Sequence, residues 1–336
     1  MTIWGCTPRK RALGGIRGIM AKVGLARGKK SYEAVRKALD LLADDVRIPQ
    51  DRQVLVKPNL VSDTIELAAT PVDAVRATLD FLKEMGAENL IVGEATAGPE
   101  GNTMGAFERF GYLPLQDEYG IELRDLNKDD HIVFEAFDAS LTPVNIRLYK
   151  TYFESYVVPV ARMKTHLQAI VTLTIKNIAI GSIYNPDRHS LAWHKPEPGK
   201  FSHDPKPINL YLARLAHTIM PELAVIDGVI GMEGEGPVRG TPVESGVAVA
   251  GTNALAVDII GSEVMGFDYR TIGYLWYLSQ VMKLEREGIQ VVGEDPRDCI
   301  TRYKPYARMQ VILTWWVENW QELLHGNYIK SPVGVR

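Results

Sequence analysis

The stretch from Tyr156 to His194 constrains this chain most, because an apolar run at 172–181, TLTIKNIAIG, carries Lys176 and Asn177 in its middle. An ammonium in such a run must be solvated, paired or shifted in pKa, since an unpaired buried charge is strongly unfavourable. A buried strand, YVVPV, precedes the run, followed by a loop holding Arg162, Lys164, Thr165 and His166. A second loop after the run carries Asp187, Arg188, His189 and His194.

The flanking sequence alternates strands and helices. QVLV at 53–56 reads as a short buried strand ending at Lys57, Pro58 and Asn59. Thr70, Pro71 and Asp73 have the order of N-cap, first-turn proline and third-position acid, which starts a helix running to Gly86. NLIVGEA at 89–95 is the next strand, so the segment is a βαβ unit with parallel strands. Ligands of open parallel sheets sit beyond the carboxyl ends of the strands. Lys57, Asn59, Glu94 and Thr96 occupy such ends.

Further along, IELRDL at 121–126 is a strand, and the alternating runs FEAF and VNIRLY within 130–155 suggest an antiparallel hairpin or insertion. Helices are expected at 207–220, 254–265 and 271–286, and strands at 222–229, 246–253 and 289–292. Ser31 is placed as the cap of an earlier helix with Val35, Ala38, Leu39 and Leu42 at helical spacing. The fold class is therefore α/β, mostly parallel, with helices on both faces. Two lobes, about 31–130 and 156–300, would enclose a central crevice.

Residues 1–30 hold eight basic residues and no acid, which reads as a solvated arm or, alternatively, a contact for an anionic surface. The last part of the chain, RMQVILTWWVENWQELLHGNY, suggests a Trp-rich amphipathic helix. It would pack onto the domain or a second subunit, or lie in a membrane interface.

Whole-chain properties limit the function. A net charge of −3 and the lack of any nucleic-acid motif argue against nucleic acid as a partner. Cys6 and Cys299 are far apart, which fits a reducing cytoplasm, and no cysteine-ligated iron–sulfur cluster is expected within this chain. No stretch has the apolar length of a spanning helix.

Two constellations could carry chemistry. His166, His189 and His194 flank the lysine run beside Arg162, Lys164 and Arg188, which suits an anionic ligand. In DGVIGMEGEGPVRG at 227–240, five glycines let the backbone approach a ligand, and Asp227, Glu233 and Glu235 could hold a divalent metal or act as acid and base.

VLVKPNLV at 54–61, the Thr-Pro helix with the IVGEA strand, ARMKTHLQAIVTLTIKNIAIG at 161–181, Arg188, His194, IDGVIGMEGEGPVRG at 226–240 and AVDIIG at 256–261 together resemble the prokaryotic family catalogued as domain of unknown function 362. The resemblance covers roughly residues 50 to 270. Many members add a ferredoxin-like module with cysteine-ligated clusters, but here a Trp-rich segment stands in its place. A fainter likeness is to the nickel-pincer lactate racemases, in which a histidine precedes a cofactor-tethering lysine and a nickel-ligating histidine follows. His166, Lys176 and His194 fall in that order.

The expectation is an enzyme acting on a small carboxylate or phosphate by acid–base chemistry, of lyase or isomerase type. His166, Lys176 and His194 would be catalytic, and Lys57, Asn59, Lys164, Asn177, Arg188 and Glu94 would bind substrate. Two alternatives stand beside it: a non-catalytic carrier or assembly protein at a membrane surface, and racemase-like chemistry with a lysine-tethered nickel cofactor.

Overall fold

The computed structural model describes residues 21–97, 102–184, 199–326 and 328–329. Nine strands form one sheet, and two more form a separate hairpin. In chain order the large sheet uses β1 (Ala21–Arg27), β2 (Val54–Pro58), β3 (Leu90–Glu94), β4 (Glu122–Asp125), β7 (Tyr156–His166), β8 (Ile170–Thr172), β9 (Ala224–Glu233), β10 (Thr241–Gly251) and β11 (Ile289–Gly293). The order across it is β11-β1-β10-β9-β7-β2-β3-β4, with β8 paired to β7. The β2–β3, β3–β4, β2–β7, β7–β9 and β1–β11 pairs are parallel. The hairpin of β5 (His131–Phe137) and β6 (Pro143–Tyr149) lies where the alternating runs placed it.

Strand faces follow the two-residue period of a pleated strand buried on both sides. In β10, Val247 and Val249 enter one apolar core while Ala248 and Ala250 enter the other. The first core also contains α7 (Pro205–Thr218), α8 (Ala254–Val264) and α9 (Gly273–Met282); the second contains α1 (Ser31–Asp40) and α2 (Val72–Glu84). Helices thus cover both faces. The short helices α3 (Thr103–Arg109), α4 (Leu115–Tyr119) and α5 (Thr151–Glu154) connect strands, and α6 (Thr174–Gly181) follows β8.

The chain runs outward from β2 through β3 to β4, then crosses back to set β7 on the other side of β2. This reversal makes a topological switch point, where the diverging connections open a crevice above the strand ends.

Several local expectations are corrected. Residues 21–27 are not part of an arm but an interior strand between β10 and β11, with Val23 and Leu25 fully buried. Its basic ends mask that apolar centre: Lys22 pairs with Asp45, and Arg27 reaches the Asp298 carbonyl. Residues 1–20 lie outside the described residues. Ser31 does not cap α1 but is its first residue, and its hydroxyl bonds Asp227 instead. Thr70 does not cap α2 either; its hydroxyl donates to the Val160 carbonyl and accepts from Asn59 N, and Pro71 is the N-cap.

The Trp-rich segment is not one long helix. It breaks into Met309–Ile312, Leu313–Trp315 and Trp320–Leu324. Trp315 and Trp320 are buried against Trp276 and Tyr277 of α9, whereas Trp316, Leu313 and Val311 are exposed. Among the described residues no helix is long and apolar enough to cross a membrane.

Candidate functional site

β7 does not stop at Val160. It continues to His166, so Arg162, Lys164, Thr165 and His166, expected in a loop, are strand residues with almost no exposure. From sequence the strand is expected to end at Val160, because charged residues argue against a buried strand. Here the hydrogen-bonding of their polar ends compensates part of the burial.

Lys57 leaves the end of β2 fully buried. Its Nζ donates to Glu94 Oε2, Asn177 Oδ1 and the Pro58 carbonyl, each at 2.8 Å. Glu94 at the end of β3 also accepts from Leu60 N and Ala95 N, both at 2.8 Å. Asn59 Nδ2 donates to Asn177 Oδ1 at 3.1 Å. Lys164 Nζ donates to Asn59 Oδ1 and the Ala68 carbonyl. Four segments distant in sequence are thereby tied into one polar network.

Gly181 belongs to the same arrangement. A Cβ there would lie 2.5 Å from Lys57 Cε and 2.7 Å from Nζ, so the last turn of α6 can pass the lysine only without a side chain.

Lys176, in the first turn of α6, differs from its neighbours. It is 5% exposed and has no hydrogen-bond or ion-pair partner among the described residues. Burial alone pulls its pKa down to about 7. It lines a cavity of about 50 Å³ together with Lys57, Asn59, Glu94, Asn177 and Thr172, and with apolar walls from Val61, Ala95, Ala97, Ile180 and Pro237. The Thr172 hydroxyl is buried there without a partner among the described residues.

Burial also lowers the pKa of Lys164 well below the usual lysine range, with the charges of Arg162, Lys176 and Lys57 adding to it. His166 is likewise held well below the ordinary histidine range by burial and then by the Lys176 charge. Its Nδ1 accepts from Gln168 N at 3.0 Å and Ala169 N at 3.2 Å, which assigns the proton of the neutral ring to Nε2. His166 is therefore a neutral donor.

Two residues escaped the sequence reading. His203, just ahead of α7, has its pKa lowered to about 3 by burial and by the Lys176 charge. Its only sequence signal was a histidine two positions before the helix-opening Pro205. The second is Asp258, in the helix Ala254–Val264. Its carboxylate accepts from Thr174 N at 2.9 Å, Ile175 N at 3.0 Å and the Thr174 hydroxyl at 2.5 Å, so α8 caps α6 and fixes the turn bearing Lys176. Burial still raises Asp258 to about 7.

The acidic trio is not assembled as a metal site. Asp227 is engaged by Ser31 Oγ and Val229 N, Glu233 by Lys304 N and Nζ, and Glu235 is exposed. Among the described residues no group of three or more His, Cys, Asp or Glu side chains could hold a metal ion. The first half of the expected glycine loop is instead strand, with β9 running to Glu233 and β10 starting at Thr241. Lys57 and Glu94, expected to bind substrate, are ion-paired with each other. Arg188, His189 and His194 lie outside the described residues.

Residues 54–263, more than half of the chain, match the family described as Domain of unknown function (DUF362). The chain belongs to this family. The matched span runs from β2 to α8 and so contains every residue of the Lys176 cavity. A thylakoid-associated protein of Synechocystis sp. is 29% identical over 229 residues, covering 67% of this chain and 66% of that protein. Among solved structures, the lactate racemase apoprotein from Thermoanaerobacterium thermosaccharolyticum is similar at TM-score 0.48 and 13% identity, covering 74% of this chain and 57% of that one. A Thermotoga maritima protein is similar at TM-score 0.40 and 11% identity, covering 80% and 62%. The chain thus spans just under two thirds, or less, of the length of each of these relatives.

Proposed function

We propose that the chain is an enzyme acting on a small carboxylate or phosphate by proton transfer, with Lys176 as the residue that moves the proton. The observation carrying this reading is a buried lysine on a cavity wall, unpaired among the described residues, beside another lysine that is fully engaged. A structural lysine would be paired as Lys57 is. A lysine whose pKa sits near neutrality can take a proton from substrate at ordinary pH, or add to a carbonyl as the free amine.

In the protonated state Lys176 attracts the anionic group, and as the amine it abstracts a proton from the adjacent carbon. The Thr172 hydroxyl on the cavity wall donates a hydrogen bond to the oxygen that gains charge, and Asn177 and Asn59 keep the wall in place. This supports isomerase or lyase chemistry over hydrolysis.

The test is deuterium incorporation next to the carboxylate of a panel of short 2-hydroxy, 2-oxo and phosphorylated acids in heavy water, followed by NMR. The wild type exchanges at least one of them, and Lys176→Met slows that exchange by about 10²–10⁴-fold. Exchange by K176M within a few-fold of wild type would remove the lysine from this role.

A second reading is favoured by the thylakoid-associated relative and by the exposed Val311, Leu313 and Trp316 with Arg308 nearby in sequence. This surface would rest on anionic lipid. Cosedimentation with anionic vesicles, reduced for Trp316→Ser, supports it; absence of binding by the full chain removes it.

A further inference from the structure

The 59–70 loop contributes Asn59 and Val61 to the Lys176 cavity, and Glu66 and Thr70 to a second cleft of about 420 Å³. Arg162, Arg109, Val72 and Asp73 also line this second cleft. None of the roles given above uses it.

Arg162 is 7% exposed, yet its guanidinium, with five N–H donors, makes a single hydrogen bond among the described residues: Nη1 to the Glu66 carbonyl at 2.8 Å. Its Nε is buried with no partner among the described residues. Asp227 stands opposite on β9 and offsets part of the charge, but its oxygens are already engaged by Ser31 and Val229. A guanidinium buried with most of its donors idle is expensive unless something occupies them.

The same cleft receives the start of α2, thirteen residues long, whose N-cap Pro71 offers no side-chain acceptor. Ala74 N–H bonds the Pro71 carbonyl at 3.0 Å, which leaves the N–H groups of Val72 and Asp73, both at the cleft, without intrahelical acceptors at the positive end of the helix dipole. The Asp73 carboxylate beside them is drawn aside by Arg76 at 2.8 Å. Arg109 is exposed at the cleft and has no ion-pair partner among the described residues.

We infer that this cleft is a second ligand site, which binds a phosphate or carboxylate group between the Arg162 guanidinium and the first turn of α2, with Arg109 as its outer contact. The site is independent of the Lys176 cavity, although the 59–70 loop borders both. Lys164, bonded to Asn59 and Ala68, holds that loop from within the sheet.

The experiment is calorimetric titration of the full chain with inorganic phosphate and, separately, with acetate. At least one anion binds. Arg162→Gln weakens it by about tenfold or more, Arg109→Glu weakens it several-fold, and Lys176→Met retains the binding component that R109E weakens. Binding of phosphate alone assigns a phosphoryl ligand, and binding of acetate alone a carboxylate. Because Arg162 is buried, the exposed Arg109→Glu variant tests the site without risk to the fold. The inference is overturned if neither anion binds at millimolar concentration, if R109E binds like wild type, or if K176M abolishes binding and so places the anion in the other cavity.

Discussion

Lys57 and Glu94 form an ion pair 2.8 Å long that joins the carboxyl ends of β2 and β3, with side-chain exposures of 1% and 3%. Two charges so deeply buried are tolerable only together, because removing one leaves the other without compensation. Glu94→Gln is therefore expected to lower stability by about 3–5 kcal/mol, and the double variant K57M/E94M by less than the sum of the two single losses. Urea unfolding of wild type, E94Q, the single variants K57M and E94M, and the double variant measures this. A loss below about 1 kcal/mol for E94Q would show that water reaches the lysine.

Gly181 allows α6 to approach that lysine. Lys57 is held by three acceptors and cannot swing away from a new methyl group, so Gly181→Ala should cost about 1–3 kcal/mol. It should also shift the NMR signals of Asn177 and Lys176. Unchanged stability and spectra would mean that the helix end moves freely.

The titration of Lys176 has a definite sign. Its pKa is about 7 in the folded chain against 10.5 ordinarily. Between these values the unfolded chain holds a proton that the folded chain has released, so stability from this group rises with pH across that window. Below it, the folded state carries a buried ammonium. Lys176→Met should therefore be more stable than wild type near about pH 6, by roughly 2–4 kcal/mol, with the gap closing towards about pH 10. Denaturant midpoints across this range decide the matter; a constant gap would place the ammonium in water.

The tryptophans of the last segment should divide by burial. Trp315 donates Nε1–H to the Thr271 carbonyl at 2.9 Å and packs on Trp276 and Tyr277, so Trp315→Ala should cost about 3–5 kcal/mol. Trp316 is 45% exposed, and its replacement by Ala should change stability by about 1 kcal/mol or less. Equal losses in urea unfolding would contradict the arrangement.

The sequence alone determined the α/β class, the βαβ unit from β2 to β3, the 131–149 hairpin and the family. These follow from local patterns: apolar periods of two or 3.6 residues, punctuated by glycine and proline, depend on neighbours along the chain. It also singled out Lys176, since a charge inside an apolar run stands out in one dimension.

Tertiary structure decided which charges are satisfied. Lys57 and Lys176 are both buried lysines, and nothing near either in sequence says that Glu94 neutralises the first while the second lacks a partner among the described residues. Likewise, Asp258 caps a helix 84 positions earlier in the chain, and Asp227 and Glu233 spend their oxygens on Ser31 and Lys304. Hydrogen bonds and desolvation depend on distances across the fold, and spacing along the chain does not carry those distances.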